Sequence, residues 1–311
     1  MLTGFERYTK KTRRAQFLEE MEQVIPWQKL CALVEPHYPK PGNGRPPVGV
    51  ERMLRLYFLQ QWFNLSDPAA EEALYDSVVM RDFVGIDLGR EPVPDETTIC
   101  KFRHLLEEHE LGGAILETVN AYLQSRGVRI SRGTIVDATI IAAPSSTKNR
   151  EQQRDPEMKQ TYKSGRWYFG MKAHVGVDSQ TKMIHSAVVS PARQADAKVL
   201  PYLLHGAETR VWGDQAYCGQ TEAIRARAPR ARDCTNRRYR YHGRVNEAVK
   251  MKNRVKSKVR SKVEHVFAIL KLKFGFVKVR YRGLKKNGNR LFATCALVNL
   301  FLARKRLRMA V

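Results

Sequence analysis

Apolar residues follow two different patterns along the chain, and the change comes near residue 127. Before that point they recur every three or four positions, which is typical of amphipathic helices. The helices predicted from this pattern are one or two short ones in residues 1–40 and longer ones over residues 48–63, 69–79, 95–110 and 114–125. A proline-rich segment at residues 36–47, either a linker or an extended arm, separates the first of them from the rest. Residues 1–127 are therefore predicted to be all-helical.

Beyond residue 127 the pattern is that of strands. Residues 134–141 are β-branched and apolar on both faces, which predicts a central strand. Residues 166–177 and 183–189 alternate about a polar turn and predict a hairpin. The remaining predicted elements are an exposed loop over 148–163, a helix over 196–204, a strand over 210–214, a helix over 221–228, a short strand near 233, a loop over 237–244, one long helix over 246–274 and a buried helix over 291–302. This order predicts a mixed α/β fold.

The long predicted helix has an apolar stripe and a charged stripe side by side. The apolar stripe consists of Val259, Val263, Phe267 and Leu270. Arg260, Glu264 and Lys271 lie on the adjoining stripe. The simplest interpretation of Arg260 and Glu264 is an ion pair on a solvated face, worth a few tenths of a kcal/mol.

Charge is distributed very unevenly. The net charge is +24, with 16 Lys/Arg against 19 Asp/Glu in residues 1–130 and 39 against 12 in residues 131–311. A basic region interleaved with Tyr239, Tyr241 and Phe274 favours a nucleic-acid partner over a membrane surface. No apolar run of 18 residues is present to span a bilayer. The alternative is a protein that is basic without binding a polyanion.

The five cysteines are scattered and form no Cys-x-x-Cys motif. This argues against a disulfide framework and a zinc ribbon, and suits a reducing cytosol. The first residues also lack the apolar core of a signal peptide. A cytoplasmic location is therefore predicted.

Three carboxylates have positions that suit chemistry. Asp137 interrupts the apolar strand, where an ionised group is costly unless a cation or hydrogen bonds stabilise it. Asp214 ends another strand, at the kind of edge where α/β sheets bind ligands. With Glu264 these residues could bind a pair of Mg²⁺ or Mn²⁺ ions, which catalyse phosphoryl transfer. The alternatives are a satisfied core or turn residue for Asp137, a turn or helix cap for Asp214, and the surface ion pair for Glu264.

Four motifs occur in an order that resembles a known family. They are Ile-Val-Asp-Ala-Thr around Asp137, the segment 167–178 (Trp-Tyr-Phe-Gly-Met-Lys-Ala-His-Val-Gly-Val-Asp), Gly-Asp-Gln-Ala-Tyr around Asp214, and Arg260-x3-Glu264-x6-Lys271. The chain resembles the DDE transposases of bacterial insertion sequences, specifically the "insertion sequence five" family. One position departs from the related signature, since Ser257 stands where that signature has tyrosine.

The resemblance implies a ribonuclease H-like catalytic domain in residues 128–311 behind a helical, DNA-end-binding domain in residues 1–127. It implies that Asp137, Asp214 and Glu264 bind Mg²⁺ or Mn²⁺, as two ions. The cations expected to contact DNA are Arg260, Lys271, Arg237, Arg238, Lys258 and Lys262. The implied partners are terminal inverted repeats and target DNA, with a homodimer or larger assembly on them and association with the bacterial nucleoid when active.

The implied reaction is hydrolysis at each end, followed by attack of the freed 3′-hydroxyl on target DNA. Two alternatives stay open. One is a ribonuclease H-like nuclease that only hydrolyses, and the other is an inactive, transposase-derived DNA-binding protein.

Helices separated by short turns in residues 1–127 also permit a helix-turn-helix. Thr97, Thr98, Lys101 and Arg103 would lie on its recognition helix. An ordinary helical bundle explains the same pattern equally well.

Five further residues have structural interpretations. His174 and His185 are expected to be satisfied structural or DNA-contacting histidines rather than metal ligands. Asp178 is expected in a turn, Asp196 as a helix cap, and Cys218 in core packing rather than as a nucleophile.

Overall fold

The N-terminal part of the chain is helical, as predicted. The structure is a computed structural model that describes residues 10–43, 46–128, 130–242 and 244–309. Its first helices are α1 (Arg13–Glu22), α2 (Trp27–Val34), α3 (Val50–Phe63), α4 (Asp67–Asp76), α5 (Val78–Val84), α6 (Glu96–Glu108) and α7 (Leu111–Ser125). Residues 1–9 of the predicted N-terminal helical segment, and residues 44 and 45 of the predicted linker, lie outside the described residues.

Several helices in this part of the chain begin at a side-chain cap. Asp95 caps α6 by accepting the Thr98 amide at 2.7 Å. The predicted helix over residues 69–79 is two helices, because Ser77 has extended dihedrals and caps α5. The helix expected from residue 69 begins earlier, at Asp67, and Ser66 rather than Asp67 is its cap.

One six-stranded mixed sheet forms the centre of the C-terminal part. Its strands are β1 (Gly133–Ala142), β2 (Lys159–Lys163), β3 (Arg166–Asp178), β4 (Ile184–Pro191), β5 (Arg210–Trp212) and β6 (Arg232–Asp233). The order is β2-β3-β1-β5-β6, with β4 also paired to β3. β1 runs antiparallel to β3 and parallel to β5. The mixed α/β fold class is confirmed.

Alternate residues of β1 face different sides of the sheet. Ile135 belongs to the large apolar core, whereas Val136 belongs to a smaller one formed with α8 (Asp196–Val199), the 3-10 turn Leu200–Leu203 and α9 (Thr221–Arg227). Asp137 therefore lies on the side of Ile135, and Thr134 lies on the side of Val136.

Two predicted loops contain strands. The polar segment 148–163 ends in β2, which pairs with β3 from Lys159 to Lys163. The basic segment 237–244 contains β7 (Arg240–Tyr241), which pairs with β8 (Arg244–Val245). Both strands are exposed, so they lack the apolar alternation by which sequence reasoning recognises a strand.

The single long helix predicted over residues 246–274 is divided. It consists of α10 (Glu247–Arg260), α11 (Lys262–Ala268) and a π-helical turn (Ile269–Lys273). Ser261 separates the first two, and the Glu264 amide donates to the Ser261 carbonyl in a tighter three-residue turn. Gly275, with φ +67°, ends the helical segment as predicted.

The last helix, α12 (Leu284–Arg308), packs against both parts of the molecule. Its buried residues join one apolar core with residues of α3, α7 and β3. The contact with α7 is close: the Gly112 amide donates to Asn289 Oδ1 at 2.6 Å. The predicted buried closing helix is therefore confirmed and is longer than expected. In the part of the chain that the structure describes, none of the helices has the length and apolar character needed to cross a bilayer.

Candidate active site

Asp137 lies in the middle of β1 with its carboxylate largely buried. The side chain is 14% exposed, and Oδ2 accepts a hydrogen bond from Arg260 Nη1 at 2.8 Å. Oδ1 accepts the Ala138 amide at 2.8 Å. The cation that a carboxylate in this apolar strand requires is therefore Arg260, which is 123 residues away in the sequence.

Arg260 also contacts Glu264. Its Nη2 donates to Glu264 Oε1 at 3.0 Å, and the Glu264 side chain is 62% exposed. Alone, this exposed contact between residues four apart would be worth about 0.3–0.5 kcal/mol. Because the same guanidinium also binds the buried Asp137, it joins a carboxylate from β1 to one from α11. The surface-pair interpretation of Arg260 and Glu264 is therefore incomplete.

Asp214 follows β5 and lies beside Asp137. Ile135 of β1 pairs with Trp212 of β5 in parallel register. Asp137 comes two residues after Ile135, and Asp214 comes two residues after Trp212, so the two aspartates are neighbours. Asp214 Oδ1 accepts the Ala216 amide at 2.9 Å and caps the 3-10 turn Gln215–Tyr217. The helix-cap interpretation of Asp214 is thus correct, and it leaves the second carboxylate oxygen available for another partner.

The electrostatics of this group favour a bound cation. The pKa of Asp137 is raised to about 6, chiefly by burial and also by the negative charge of Asp214, against the opposing effects of the Ala138 amide and the Arg260 guanidinium. An additional positive charge would relieve the remaining cost of ionisation. Carboxylate oxygens from two neighbouring strands and a helix are the donors that Mg²⁺ and Mn²⁺ prefer. The chemistry of these donors therefore suits a divalent cation, although the ligand oxygens of the three carboxylates do not all lie within 4.8 Å of one another.

Lys271 attaches the π-helical turn to the active-site strand. Its Nζ donates to the Ile140 carbonyl at 2.8 Å, and burial lowers its pKa. The positive charge of Lys163 lowers the pKa of both Lys271 and Asp137, so the β2–β3 hairpin extends close to the carboxylates. Sequence reasoning missed Lys163 because it assigned that segment to a loop. The polar–apolar alternation before it is too weak to indicate a strand.

A basic surface continues from the carboxylates. We call it the basic hairpin–helix surface and define it as residues 237–242 together with 244–260. Helix α10 carries six Lys or Arg residues and one acid, Glu247. Its buried Asn253 attaches it to the hairpin, accepting the Arg237 amide at 3.1 Å and donating to the Arg237 carbonyl at 2.7 Å. The side chains of Arg237, Arg238 and Lys258 remain exposed.

Two other predicted positions have structural contacts. Lys262 Nζ donates to the Ser179 carbonyl at 2.7 Å, which fixes α11 against the β3–β4 turn. Ser257 Oγ accepts a hydrogen bond from Asn236 Nδ2 at 3.0 Å. The serine that replaces the signature tyrosine therefore joins α10 to the segment after β6.

Several structural interpretations can now be corrected. Cys218 is exposed, so the expected core packing is wrong. Asp196 does not cap α8, since Ala195 occupies that position; instead Asp196 accepts Lys172 Nζ at 2.8 Å. Arg103 is 6% exposed and its guanidinium binds Asp67, so it cannot reach DNA from a recognition helix. For this residue the bundle interpretation is correct.

His174 and Asp178 are buried structural residues, as expected, but His174 is only partly satisfied, because its buried Nδ1 has no hydrogen-bond partner among the described residues. His174 is fully buried, its Nε2 lies 2.8 Å from Ser190 Oγ, and burial lowers its pKa to about 4. Asp178 organises the β3–β4 turn, accepting the Gln180 amide at 2.9 Å and the Thr181 amide at 2.6 Å.

Two family models and one solved structure are similar to this chain. A family model described as "Transposase DDE domain" matches residues 129–300, and one described as "Transposase domain (DUF772)" matches residues 6–105. Among solved structures, the cryo-EM structure of the piggyBac transposase synaptic complex with hairpin DNA is similar over 93% of this chain and 73% of that chain. The sequence identity is 8% and the TM-score 0.49, a similarity too low to assign chemistry or partners.

Proposed function

Because the chain belongs to the family of DDE-domain transposases, we propose that it cuts the ends of its own mobile element and joins them to target DNA. The observation that supports this proposal is that Arg260 bridges Asp137 and Glu264, close to the negative charge of Asp214. These three carboxylates would hold two Mg²⁺ ions, with Mn²⁺ as the substitute. When bound, the ions would activate the attacking hydroxyl and stabilise the leaving oxygen of the phosphodiester.

Arg260 has two roles in this proposal. In the metal-free protein it neutralises Asp137 and Glu264, which would otherwise repel each other and Asp214. Once the carboxylates have another cation, the guanidinium is free to bind a DNA phosphate with two parallel hydrogen bonds. Lys271 orients the helical segment against β1 through the Ile140 carbonyl, which keeps Glu264 close to Asp137.

The basic hairpin–helix surface is the proposed DNA-binding surface. Its exposed side chains, including Arg237, Arg238 and Lys258, lead away from the carboxylates, and phosphate contacts dominate the affinity of proteins for DNA. We retain residues 1–127 and 128–311 as the proposed domains, with the helical one helping to hold the DNA end. Two DNA ends require two such sites, so a homodimer is the smallest complete assembly.

Purified protein, DNA carrying the inverted repeats that flank the reading frame, and Mg²⁺ test this proposal. Wild type should release 3′-hydroxyl ends and form joined products with a target plasmid. Asp137→Asn, Asp214→Asn and Glu264→Gln should abolish cleavage while DNA binding survives. Glu222→Gln, at an exposed acid on α9, is the matched control and should cleave normally.

The alternatives predict different products. A nuclease that only hydrolyses would give cut ends without joined products, and an inactive DNA-binding protein would give a shifted band without cuts. Cleavage by any of the three carboxylate variants at the wild-type rate would remove that residue from the site.

A further inference from the structure

A second group of metal-ligating side chains lies away from the three carboxylates. We propose that His185, His205 and Glu208 form a separate binding site for a nitrogen-preferring divalent cation, of which Zn²⁺ is the representative. His185 is on β4, and the other two residues are in the segment that leads into β5. This site is independent of the proposed transposition chemistry.

The positions of the ligand atoms suit a single ion. One atom from each of the three residues lies within 4.8 Å of the others. His205 Nε2 is 3.4 Å from Glu208 Oε1, and the two imidazole rings meet edge to face with centroids 5.0 Å apart. In a tetrahedral zinc site with bonds of ~2.1 Å, ligand atoms are ~3.4 Å apart. One pair already has this separation, and the third atom needs only a small movement.

The groups around His185 make four hydrogen-bonding contacts, but they have only three protons to donate. Its Nδ1 faces Ser186 Oγ at 2.7 Å, and that hydroxyl also contacts the Leu203 carbonyl at 2.8 Å. Its Nε2 faces Thr134 Oγ1 at 3.1 Å, and that hydroxyl also contacts Glu208 Oε1 at 3.2 Å.

With either tautomer, one of the two hydroxyls must serve two acceptors with its single proton. The neutral imidazole ring of His185 supplies one proton. A cation at Nε2 removes the conflict: Nδ1–H donates to Ser186, Ser186 donates to Leu203, and Thr134 donates to Glu208. This is the arrangement in which a ligating histidine donates its other ring N–H to a fixed acceptor.

Glu208 is a buried carboxylate with little positive charge near it. Its side chain is fully buried, and its oxygens accept the His205 amide at 2.7 Å and the Gly206 amide at 2.8 Å. Within the described ranges, Glu208 forms an ion pair with His205 but with no lysine or arginine. Buried carboxylates are normally paired with a cation or bound to a metal.

His205 must adjust when the ion binds. In the metal-free protein its Nδ1 accepts the Ala207 amide at 3.2 Å, so Nε2 carries the proton and points it at Glu208. Zinc takes the place of this proton, which moves to Nδ1, and the Ala207 amide turns to solvent. Ala207 is exposed and the His205 side chain is 26% exposed, so water can replace the lost contact.

The two metal sites differ in place and in preference. Thr134 and Asp137 are three residues apart on β1, so their side chains lie on opposite faces of the sheet. Two imidazoles and one carboxylate prefer Zn²⁺, whereas an all-carboxylate set prefers Mg²⁺. Bound zinc would connect β4 to the segment before β5, and thereby support the strand that leads to Asp214.

Zinc binding to the stripped, full-length chain tests the proposal. Excess Mg²⁺ occupies the carboxylates, and zinc is then titrated against a chromophoric chelator, with bound metal measured by elemental analysis. We expect one zinc ion per chain and a higher melting temperature. Co²⁺ should give the visible absorption of a tetrahedral site. His205→Ala, which changes an exposed side chain, should weaken zinc binding more than about tenfold.

Glu208→Gln keeps the size of the side chain and should show the same loss. His242→Asn, at an exposed histidine whose positive φ asparagine tolerates, and Asp137→Asn are controls that should bind zinc like wild type. Wild type without bound zinc, or His205→Ala with wild-type affinity, would overturn the proposal. Loss of zinc in Asp137→Asn would place the ion at the carboxylates and would overturn it equally.

Discussion

Replacing Asp137 with asparagine should make the metal-free protein more stable at neutral pH. Burial raises the pKa of this carboxyl from 3.8 to about 6 in the folded protein. The folded state therefore keeps the proton at pH values where the unfolded chain has lost it. Stability falls as the pH rises through this window, because the unfolded state is the one that releases its proton first.

The size of the effect follows from the pKa values. A rise from 3.8 to about 6 corresponds to ~3 kcal/mol, since each tenfold change in an equilibrium is worth about 1.4 kcal/mol. Asparagine at this position has no proton to lose. The difference in unfolding free energy between Asp137→Asn and wild type should therefore grow by ~2.4 kcal/mol between pH 4 and pH 7. Asp137→Asn also loses the ion pair with Arg260, which changes the unfolding free energy at neutral pH. Arg260→Met measures this contribution separately.

Urea unfolding in EDTA, at several pH values, measures this difference. Asp178→Asn is the control, because its effect on the unfolding free energy should depend on pH in the opposite direction. Although burial raises the pKa of Asp178, hydrogen bonds from Ser131, Thr181 and Gln180 leave it below its ordinary value, so its contribution is present at neutral pH and lost on acidification. Equal pH dependence in wild type and Asp137→Asn would refute the assigned burial cost. Adding Mg²⁺ should stabilise wild type more than the asparagine variant.

Two structural predictions concern helix packing and buried charge. Gly112→Ala should cost ~1–3 kcal/mol of unfolding free energy, because the added Cβ would lie 2.2 Å from the Asn289 carbonyl oxygen. Gly113→Ala has room and should be neutral or slightly stabilising in the same thermal melt, so equal losses would contradict the packing argument. Arg103→Met should cost ~3–5 kcal/mol, because it leaves Asp67 partly buried without its cation. A loss below 1 kcal/mol would show that Asp67 is solvated.

The sequence was sufficient to predict the fold class and to select the three carboxylates, and it could not predict their contacts. Asp137 is conspicuous because a charge interrupts an apolar strand, and Glu264 because of its spacing from Arg260. The contact between Arg260 and Asp137 depends on the packing of α10 and α11 against the sheet, and no local pattern encodes it. The proposed zinc site was missed for the same reason: His185 was expected not to bind a metal, and 20 residues separate it from His205.

The strand errors have a different cause. β2 and β7 are exposed, and their stability comes from pairing with a neighbouring strand rather than from burying one face. A polar sequence with Lys159 and Lys163 at its ends is therefore compatible with both a loop and an edge strand. The charges on such an edge also discourage pairing with other chains.

The packing of α12 on α7 also constrains how the chain folds during synthesis. N-terminal domains generally fold first as they leave the ribosome. Here the apolar face of α7 is completed by a helix that ends at Arg308, 183 residues after Ser125. At 5–20 residues per second the ribosome needs about 10–40 s to supply that partner. During this interval the helical part exposes apolar surface that chaperones can bind, and a chain terminated before α12 would be a substrate for proteases rather than a DNA-cutting fragment.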